Sequence, residues 1–300
     1  MSPDVRAART ARVEAQAKLN LFLRVLSREP SGYHQLETLF QRIALADSVT
    51  VSSGGAGRSL DCRGADVGPV ERNLAWRAAL AYAEAAGGPA AFRIEIDKRI
   101  PVGGGLGGGS ADAAAVLRAL NALAQRPLDD RALDAIAFSL GADVPYLLST
   151  HALALGSGRG ERLHALEALP SRDVLLAIPP FGVSSGDAFR WHAEQNAARK
   201  PGTLAMLPVG RKIEWRTIAA LAANDLEHAV IAHHPEIGAL RDAMRQSGAI
   251  LAQMSGSGST VFGVFDSSLA GRSFPVLDTL GARAIRTSTL ERVASVELDP

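Results

Sequence analysis

One cysteine in 300 residues, Cys62, excludes an intrachain disulfide and every zinc spacing that needs paired thiols. A small filler beside a strand is the reading of that thiol. An excess of one charge is missing too. A formal net charge of +1 gives little pull toward nucleic acid or anionic lipid, so neither is expected as a partner. No uncharged apolar stretch reaches the length of a membrane span. The first residues, Met1-Ser2-Pro3-Asp4-Val5-Arg6-Ala7-Ala8-Arg9-Thr10-Ala11-Arg12, carry charge where a signal peptide needs an apolar run. The expectation is a protein of a reducing cytoplasm with a mobile head of about twelve residues. Aromatics are also scarce, with three Trp and three Tyr, which makes a tyrosine on a turn hard to explain as core.

What is present reads as an ordinary globular balance, 47% hydrophobic and 21% charged. The length exceeds what one hydrophobic core serves, and two domains are expected, 1–165 and 166–300. No solenoid repeat is visible. Strands are predicted at Val13–Leu26, Leu36–Leu45, Ser48–Ser52 and Ala91–Asp97. The last of these alternates Phe92, Ile94 and Ile96 against Arg93, Glu95 and Asp97, the period of a half-buried strand. Ser27 to His34, with Pro30 and Gly32, reads as a turn. Helices are predicted at Leu74–Ala86 before Gly87-Gly88, at Ser110–Ala124 with Ser110 as its cap, and at Asp130–Ser139 stopped near Gly141. Further strands are expected at Ala152–Leu155, Val174–Ile178, Ile250–Met254 and Thr260–Phe265. Further helices are expected at Ile218–Ala229 and Glu236–Gln246, and Pro179-Pro180 and Pro201-Gly202 mark breaks. The order is mixed α and β without the alternation of a doubly wound sheet, so the class is α+β.

The most informative segment is Pro101-Val102-Gly103-Gly104-Gly105-Leu106-Gly107-Gly108-Gly109-Ser110-Ala111. Six of the nine residues from Gly103 to Ala111 are glycine, and an apolar helix follows at once. Each glycine costs ~0.5–1 kcal/mol of chain entropy, so the run needs a reason. Bare backbone N–H groups and the positive end of a helix dipole make an anion cradle, suited to phosphates. The dinucleotide pattern Gly103-x-Gly105-x-x-Gly108 is met, but a run this rich in glycine meets it by accident. Lys98 to Pro101 also intervene after the strand, whereas that fingerprint opens straight from one. The Walker pattern fails because no lysine follows. A plain glycine linker would not be framed by Pro101 and a capped helix.

This loop resembles the phosphate-binding motif Pro-x-x-x-Gly-Leu-x-Ser-Ser of the GHMP kinase superfamily. Gln253-Met254-Ser255-Gly256-Ser257-Gly258-Ser259-Thr260-Val261-Phe262 resembles that family's C-terminal glycine-rich motif. Ala17-Lys18-Leu19-Asn20-Leu21-Phe22-Leu23, Gly32-Tyr33-His34 and Gly141-Ala142-Asp143-Val144-Pro145 are similar, in order, to blocks of the branch acting on a cytidyl-diphospho-erythritol in the non-mevalonate isoprenoid route. The resemblance runs from about residue 15 to about 265. Ala111 departs from it where a second serine is common.

The resemblance implies a two-domain α+β fold with the active site in the cleft between domains. It implies ATP as donor, Mg2+ carried by ATP rather than by a protein metal site, and a small-molecule acceptor phosphorylated on its 2-hydroxyl. It makes Asp143 the base for that hydroxyl and Lys18 the cation that steadies the developing charge. Taken alone, Asp143 reads as a helix cap and Lys18 as an ion-pair partner. A cytosine ring asks for an aromatic face and polar edge contacts, which Tyr33, His34, Phe189 and Asn20 are expected to supply, with Gly256, Ser257 and Gly258 beside them. Phe181 competes with Phe189 for that place. Asn73 and Lys98 are expected to face the nucleotide base or phosphates. His233-His234 lacks ligand partners at metal spacing and reads as a surface turn. Alternatives still open are a homoserine- or mevalonate-type kinase, an NAD-dependent dehydrogenase and a silent nucleotide-binding module.

Overall fold

The computed structural model describes residues 9–30, 32–54, 57–88, 90–196 and 213–299. The Pro201-Gly202 break and residues 1–8 of the expected head lie outside these. Residues 9–12 do not belong to a tail: β1 (Arg9–Arg28) starts there and pairs with β2 (His34–Ser53) from Arg9↔Ser53 onward. The chain continues as β3 (Arg58–Arg63), α1 (Leu74–Ala86), β4 (Phe92–Asp97), α2 (Gly108–Leu123), α3 (Asp130–Leu140) and α4 (Val144–Leu148). Then come β5 (Leu153–Gly158), β6 (Arg162–Ala165), β7 (Asp173–Ile178), α5 (Ser185–Gln195), α6 (Trp215–Leu221), α7 (Glu227–His233) and α8 (Pro235–Gln246). β8 (Leu251–Met254), β9 (Val261–Phe265), α9 (Pro275–Thr279), β10 (Arg283–Ser288) and β11 (Glu297–Asp299) complete it.

Two sheets organise these elements. One runs β11-β1-β2-β4-β3, with β5 on β2 and β6 on β5; the other runs β10-β7-β9-β8. Only the β3–β4 pair among the described strands is parallel, so this is an α+β arrangement, and the parallel sheet that a dinucleotide fold requires is absent. The stretches read as two strands around Ala46 and Asp47 are one, β2. Residues 36–41 pair with β5 and residues 48–53 with β4, and a register shift opposite Gln16 and Lys18 absorbs the bend between them. Strands β1 to β6 of the first sheet end at Ala165, and the second sheet opens at Asp173. Across the expected boundary between 1–165 and 166–300, β11 returns to pair with β1, Thr10 opposite Asp299.

The helix expected over Ile218–Ala229 is broken into α6 and α7. Between them, Leu23 N–H donates to Ala223 O at 2.9 Å and Asp225 N–H donates to Leu23 O at 2.9 Å, so the backbone leaves the helix to join β1. Other parts of β1's outer edge are covered as well. Lys18 N–H donates to Leu106 O, and the Gln253 amide donates to the carbonyls of Asn20 and Leu21. Two apolar clusters fill the interior. α1, α2, the first sheet and one face of the second sheet form the larger; α7, α8 and the second sheet's other face form the other.

Candidate active site

A cleft of about 1550 Å³ is lined by β1, β2, the glycine loop, the start of α2, the end of α3 and α5. The glycine loop forms one wall. It leaves β4 through Lys98–Ile100 and enters α2 at Gly108, two residues earlier than expected. The cap is Gly107 at φ 74°, not Ser110, and no side chain caps the helix. The first N–H groups of α2 are thus left to a ligand, and Ser110 sits in the first turn lining the cleft. Ala111, expected in the phosphate loop, is 2% exposed in the core and does not line the cleft.

The loop is stitched to the second glycine motif. Gly105 O accepts from Ser255 Oγ at 3.0 Å, and Thr260 N–H donates to Gly104 O at 3.2 Å. Gly105 has φ 74°, and a Cβ there would lie 2.1 Å from Ser255 O, so neither the backbone angle nor the approach tolerates a side chain. Asn224 anchors the far side, its amide donating to Met254 O at 2.9 Å and Gly256 O at 2.7 Å. Glu227 accepts from Met254 N–H at 2.7 Å.

Lys18 lies where these pieces meet. Its Nζ donates to Asn20 Oδ1 at 2.7 Å and Gly105 O at 3.0 Å, and stands 3.2 Å from Asp143 Oδ2. The Lys18 side chain is 4% exposed, whereas that of Asp143 is 32% exposed toward the cleft. Asp143 occupies the N-cap position of α4 but makes no side-chain cap bond, so the cap reading fails and its carboxylate serves Lys18. Asn20 also lines the cleft, yet both ends of its amide are used, one on Lys18 and one donating to Thr38 Oγ1 at 2.8 Å. It positions the lysine. α4 itself is held from behind by Arg42. This buried guanidinium donates to the carbonyls of Tyr146 (2.9 Å), Leu147 (2.8 Å) and Ser149 (3.2 Å) at the helix's negative end. Burial, partly offset by Tyr146, lowers the Arg42 pKa to about 10.

At the cleft's other end, the β1–β2 turn presents Tyr33, 59% exposed, beside His34. His34 stacks on Phe189 of α5 with centroids 4.9 Å apart, while Phe181 stacks on His234 instead, so Phe189 is the residue at the cleft. Burial first, then the positive charges of Arg28 and His192, hold the His34 pKa below its ordinary value. Gly256, Ser257 and Gly258 line the same cleft.

The family described as GHMP kinases N terminal domain matches residues 73–151, and that described as GHMP kinases C terminal matches 209–273. The 4-diphosphocytidyl-2-C-methyl-D-erythritol kinase of Pelotomaculum thermopropionicum is 41% identical over 83% of this chain and 87% of its own. That of Anaeromyxobacter sp. (strain K) is 43% identical over 86% of this chain and 82% of its own. A crystal structure of 4-(cytidine 5'-diphospho)-2C-methyl-D-erythritol kinase superposes with a TM-score of 0.74 at 37% identity, covering 93% of this chain and 98% of that one. The chain belongs to the 4-diphosphocytidyl-2-C-methyl-D-erythritol kinase family of the GHMP kinases. It is a kinase, and the dehydrogenase alternative falls with the absent parallel sheet.

Two residues expected to meet the nucleotide do other work in this kinase. Asn73 lines the cleft but also caps α1, its Oδ1 accepting from Ala75 N–H at 2.9 Å. Lys98 touches the cleft, yet its ammonium lies beneath the loop, paired with both Asp47 and Asp112 (2.7 Å). Burial acts to lower the Lys98 pKa, and the two carboxylates more than reverse it. Asp47 also accepts from the N–H groups of Arg99 (2.5 Å) and Ile100 (2.8 Å), fixing the chain as it enters the loop. Asp47, Asp112 and Arg42 were not legible in the sequence, because their partners are distant in it.

Two carboxylates sharing one cation leave a buried net negative charge. Burial chiefly, with Asp47 adding and Lys98 opposing, raises the Asp112 pKa to about 7. A carboxyl whose folded pKa exceeds its unfolded value keeps a proton that the unfolded chain has shed. Its contribution to stability is therefore fully present below the unfolded pKa and is lost as pH rises toward 7, by up to about 1.4 kcal/mol per pH unit for one proton. The Asp112→Asn variant should gain in Tm relative to the parent between pH 5 and pH 7.5. A Tm difference independent of pH would show that Asp112 does not titrate there.

Among the described residues no helix is long and apolar enough to cross a membrane, and no group of three or more His, Cys, Asp or Glu could hold a metal. His233 stacks on Trp191 at 4.0 Å, an aromatic contact and not a ligand pair.

Proposed function

We propose that this kinase transfers the γ-phosphate of ATP to the 2-hydroxyl of 4-diphosphocytidyl-2-C-methyl-D-erythritol, a step of non-mevalonate isoprenoid precursor biosynthesis. The observation that carries the proposal is the Lys18–Asp143 pair, 3.2 Å apart, in one cleft with the uncapped α2 and the Tyr33 turn. The hydroxyl oxygen attacks the γ-phosphorus, the bond to the β-phosphate oxygen breaks, ADP leaves, and the hydroxyl proton passes to Asp143. Lys18 neutralises the oxygen as it loses that proton, and Asn20 and Gly105 O keep its ammonium aimed. Loop amides from Gly103 to Ser110 hold the β- and γ-phosphates. Pro101 and Val102 form the loop's entry, Asn73 caps α1 beside the cleft, and Lys98 braces the loop from beneath.

The donors present suit magnesium that arrives on the phosphates. The Ser110 hydroxyl lines the cleft at the first turn of α2, and a protein-only cage is absent among the described residues. Ser110 would hold the ion together with phosphate oxygens, and the ion would neutralise charge that a loop without lysine leaves uncovered.

In this proposal the cytosine ring packs against Tyr33, His34 and Phe189, with Gly256, Ser257 and Gly258 beside the diphosphate, a reading supported by their common position in the cleft. A homoserine or mevalonate acceptor has no base for that aromatic end. Incubation with MgATP and each acceptor should phosphorylate the cytidine-bearing one alone. Phosphorylation of homoserine alone would defeat this reading.

A further inference from the structure

The aromatic end of the cleft contains a charged layer that the acceptor reading leaves unused. Arg159 stands in the turn joining β5 to β6, its own N–H donating to Glu161 Oε2 at 2.6 Å. Because Gly158 pairs with Leu36 at the start of β2, this turn lies beside the β1–β2 turn that bears Tyr33. The Arg159 guanidinium carbon sits 3.9 Å from the Tyr33 ring centroid. Its Nη2 donates to Glu29 Oε2 at 2.7 Å, with the two side chains 32% and 18% exposed. Glu29 is itself fixed. Its N–H donates to Tyr33 O at 2.7 Å, its O accepts from Gly32 N–H at 2.9 Å, and the Gln35 amide donates to its carboxylate.

A tyrosine 59% exposed on a Gly-containing turn has little packing to hold its ring. A loose ring makes a poor platform, since stacking a base on it costs the entropy of freezing it. Arg159 removes that cost beforehand. Its planar guanidinium covers one face of Tyr33 and is held in plane by a carboxylate anchored to the same turn. Only the opposite face is left for a base.

We infer that Arg159 is a specificity-determining positioning residue, which fixes the Tyr33 ring as the platform for the acceptor's pyrimidine base. The inference rests on the assignment of Tyr33 to the base, and it adds a residue from a separate strand turn that no motif marked. The acceptor's affinity, not the chemistry, is what Arg159 controls, because it stands at the base end while Lys18 and Asp143 form the reacting end.

The test is a double-mutant cycle on steady-state kinetics with MgATP and the cytidine-bearing acceptor. Arg159→Ala should raise the acceptor KM about tenfold and leave kcat and the MgATP KM within twofold. Arg159→Lys, which keeps the charge but not the planar fork, should fall between. In a Tyr33→Ala background, Arg159→Ala should have no further effect on KM. A full effect of Arg159→Ala persisting in that background would overturn the inference, because arginine would then touch the acceptor itself. A raised KM in Tyr33→Ala with an unchanged one in Arg159→Ala would overturn it while leaving the base reading intact. Silence of both variants would remove the base reading and this inference together.

Discussion

Replacing Asp143 by Asn should lower kcat by at least about a hundredfold while the dissociation constant for MgATP stays within twofold. The substitution is nearly isosteric and removes no helix cap, since Asp143 makes no cap bond to α4. Lys18 keeps its contacts with Asn20 Oδ1 and Gly105 O when the 3.2 Å ion pair is weakened, so the site's shape survives. What disappears is an acceptor for the hydroxyl proton. The loss therefore falls on turnover and not on nucleotide binding, and single-turnover phosphorylation with a parallel MgATP titration separates the two. Turnover equal to that of the parent would exclude Asp143 from the chemistry.

The second large effect is expected at Gly105. Its Ala variant puts a methyl group 2.1 Å from Ser255 O and 3.0 Å from Gly258 O, both backbone atoms, at a φ of +74° that L residues disfavour. The two glycine motifs must then separate, and Lys18 loses the carbonyl that aims it. Displacing a reacting group by about 1 Å costs on the order of a hundredfold in rate, and kcat/KM for MgATP should fall at least that far. Gly103 supplies the control. It has φ +72° but nothing within 4 Å of an added Cβ, so Gly103→Ala carries only the conformational cost and should lose about tenfold or less. Equal losses in the two variants would mean that backbone angle, not the contact between motifs, is what the loop's glycines secure.

Much of the first half was legible because its signals are local. The periodic alanines and the Gly87 stop place α1 at Leu74–Ala86, and strict alternation marks β4. The glycine run announces bare amides at a helix start, although the cap fell on Gly107 because the glycines themselves adopt helical geometry from Gly108. α5 was missed for a physical reason. Ala188 is its only buried residue, so it lacks the apolar stripe that periodicity detects, and Phe189 could be assigned only by resemblance. β10, with Arg283, Arg286 and no buried position, is silent in the same way. Within the site, the lone Lys18 and Asp143 are ordinary in sequence and become a pair only across 125 residues of chain. Lys98 shows the opposite error. A lysine next to a phosphate loop suggests a phosphate contact, but Asp47 and Asp112, brought in by β2 and α2, take its charge first.

The covering of β1 has a bearing on how this chain is made. A strand edge with unpaired amides and carbonyls is an invitation to any extended segment nearby. Here the pieces that close it are Leu106, the 223–225 bridge, Gln253 and β11, spread over nearly the whole sequence. During synthesis, β1 and β2 emerge early, whereas Gln253 and residues 297–299 emerge late. A nascent chain halted after β6 therefore displays a long apolar hairpin with an open side, and should be the form that ribosome-associated chaperones retain longest. The glycine loop therefore serves twice: Gly105 O holds the Lys18 ammonium, and Leu106 O next to it closes part of the hairpin's open side.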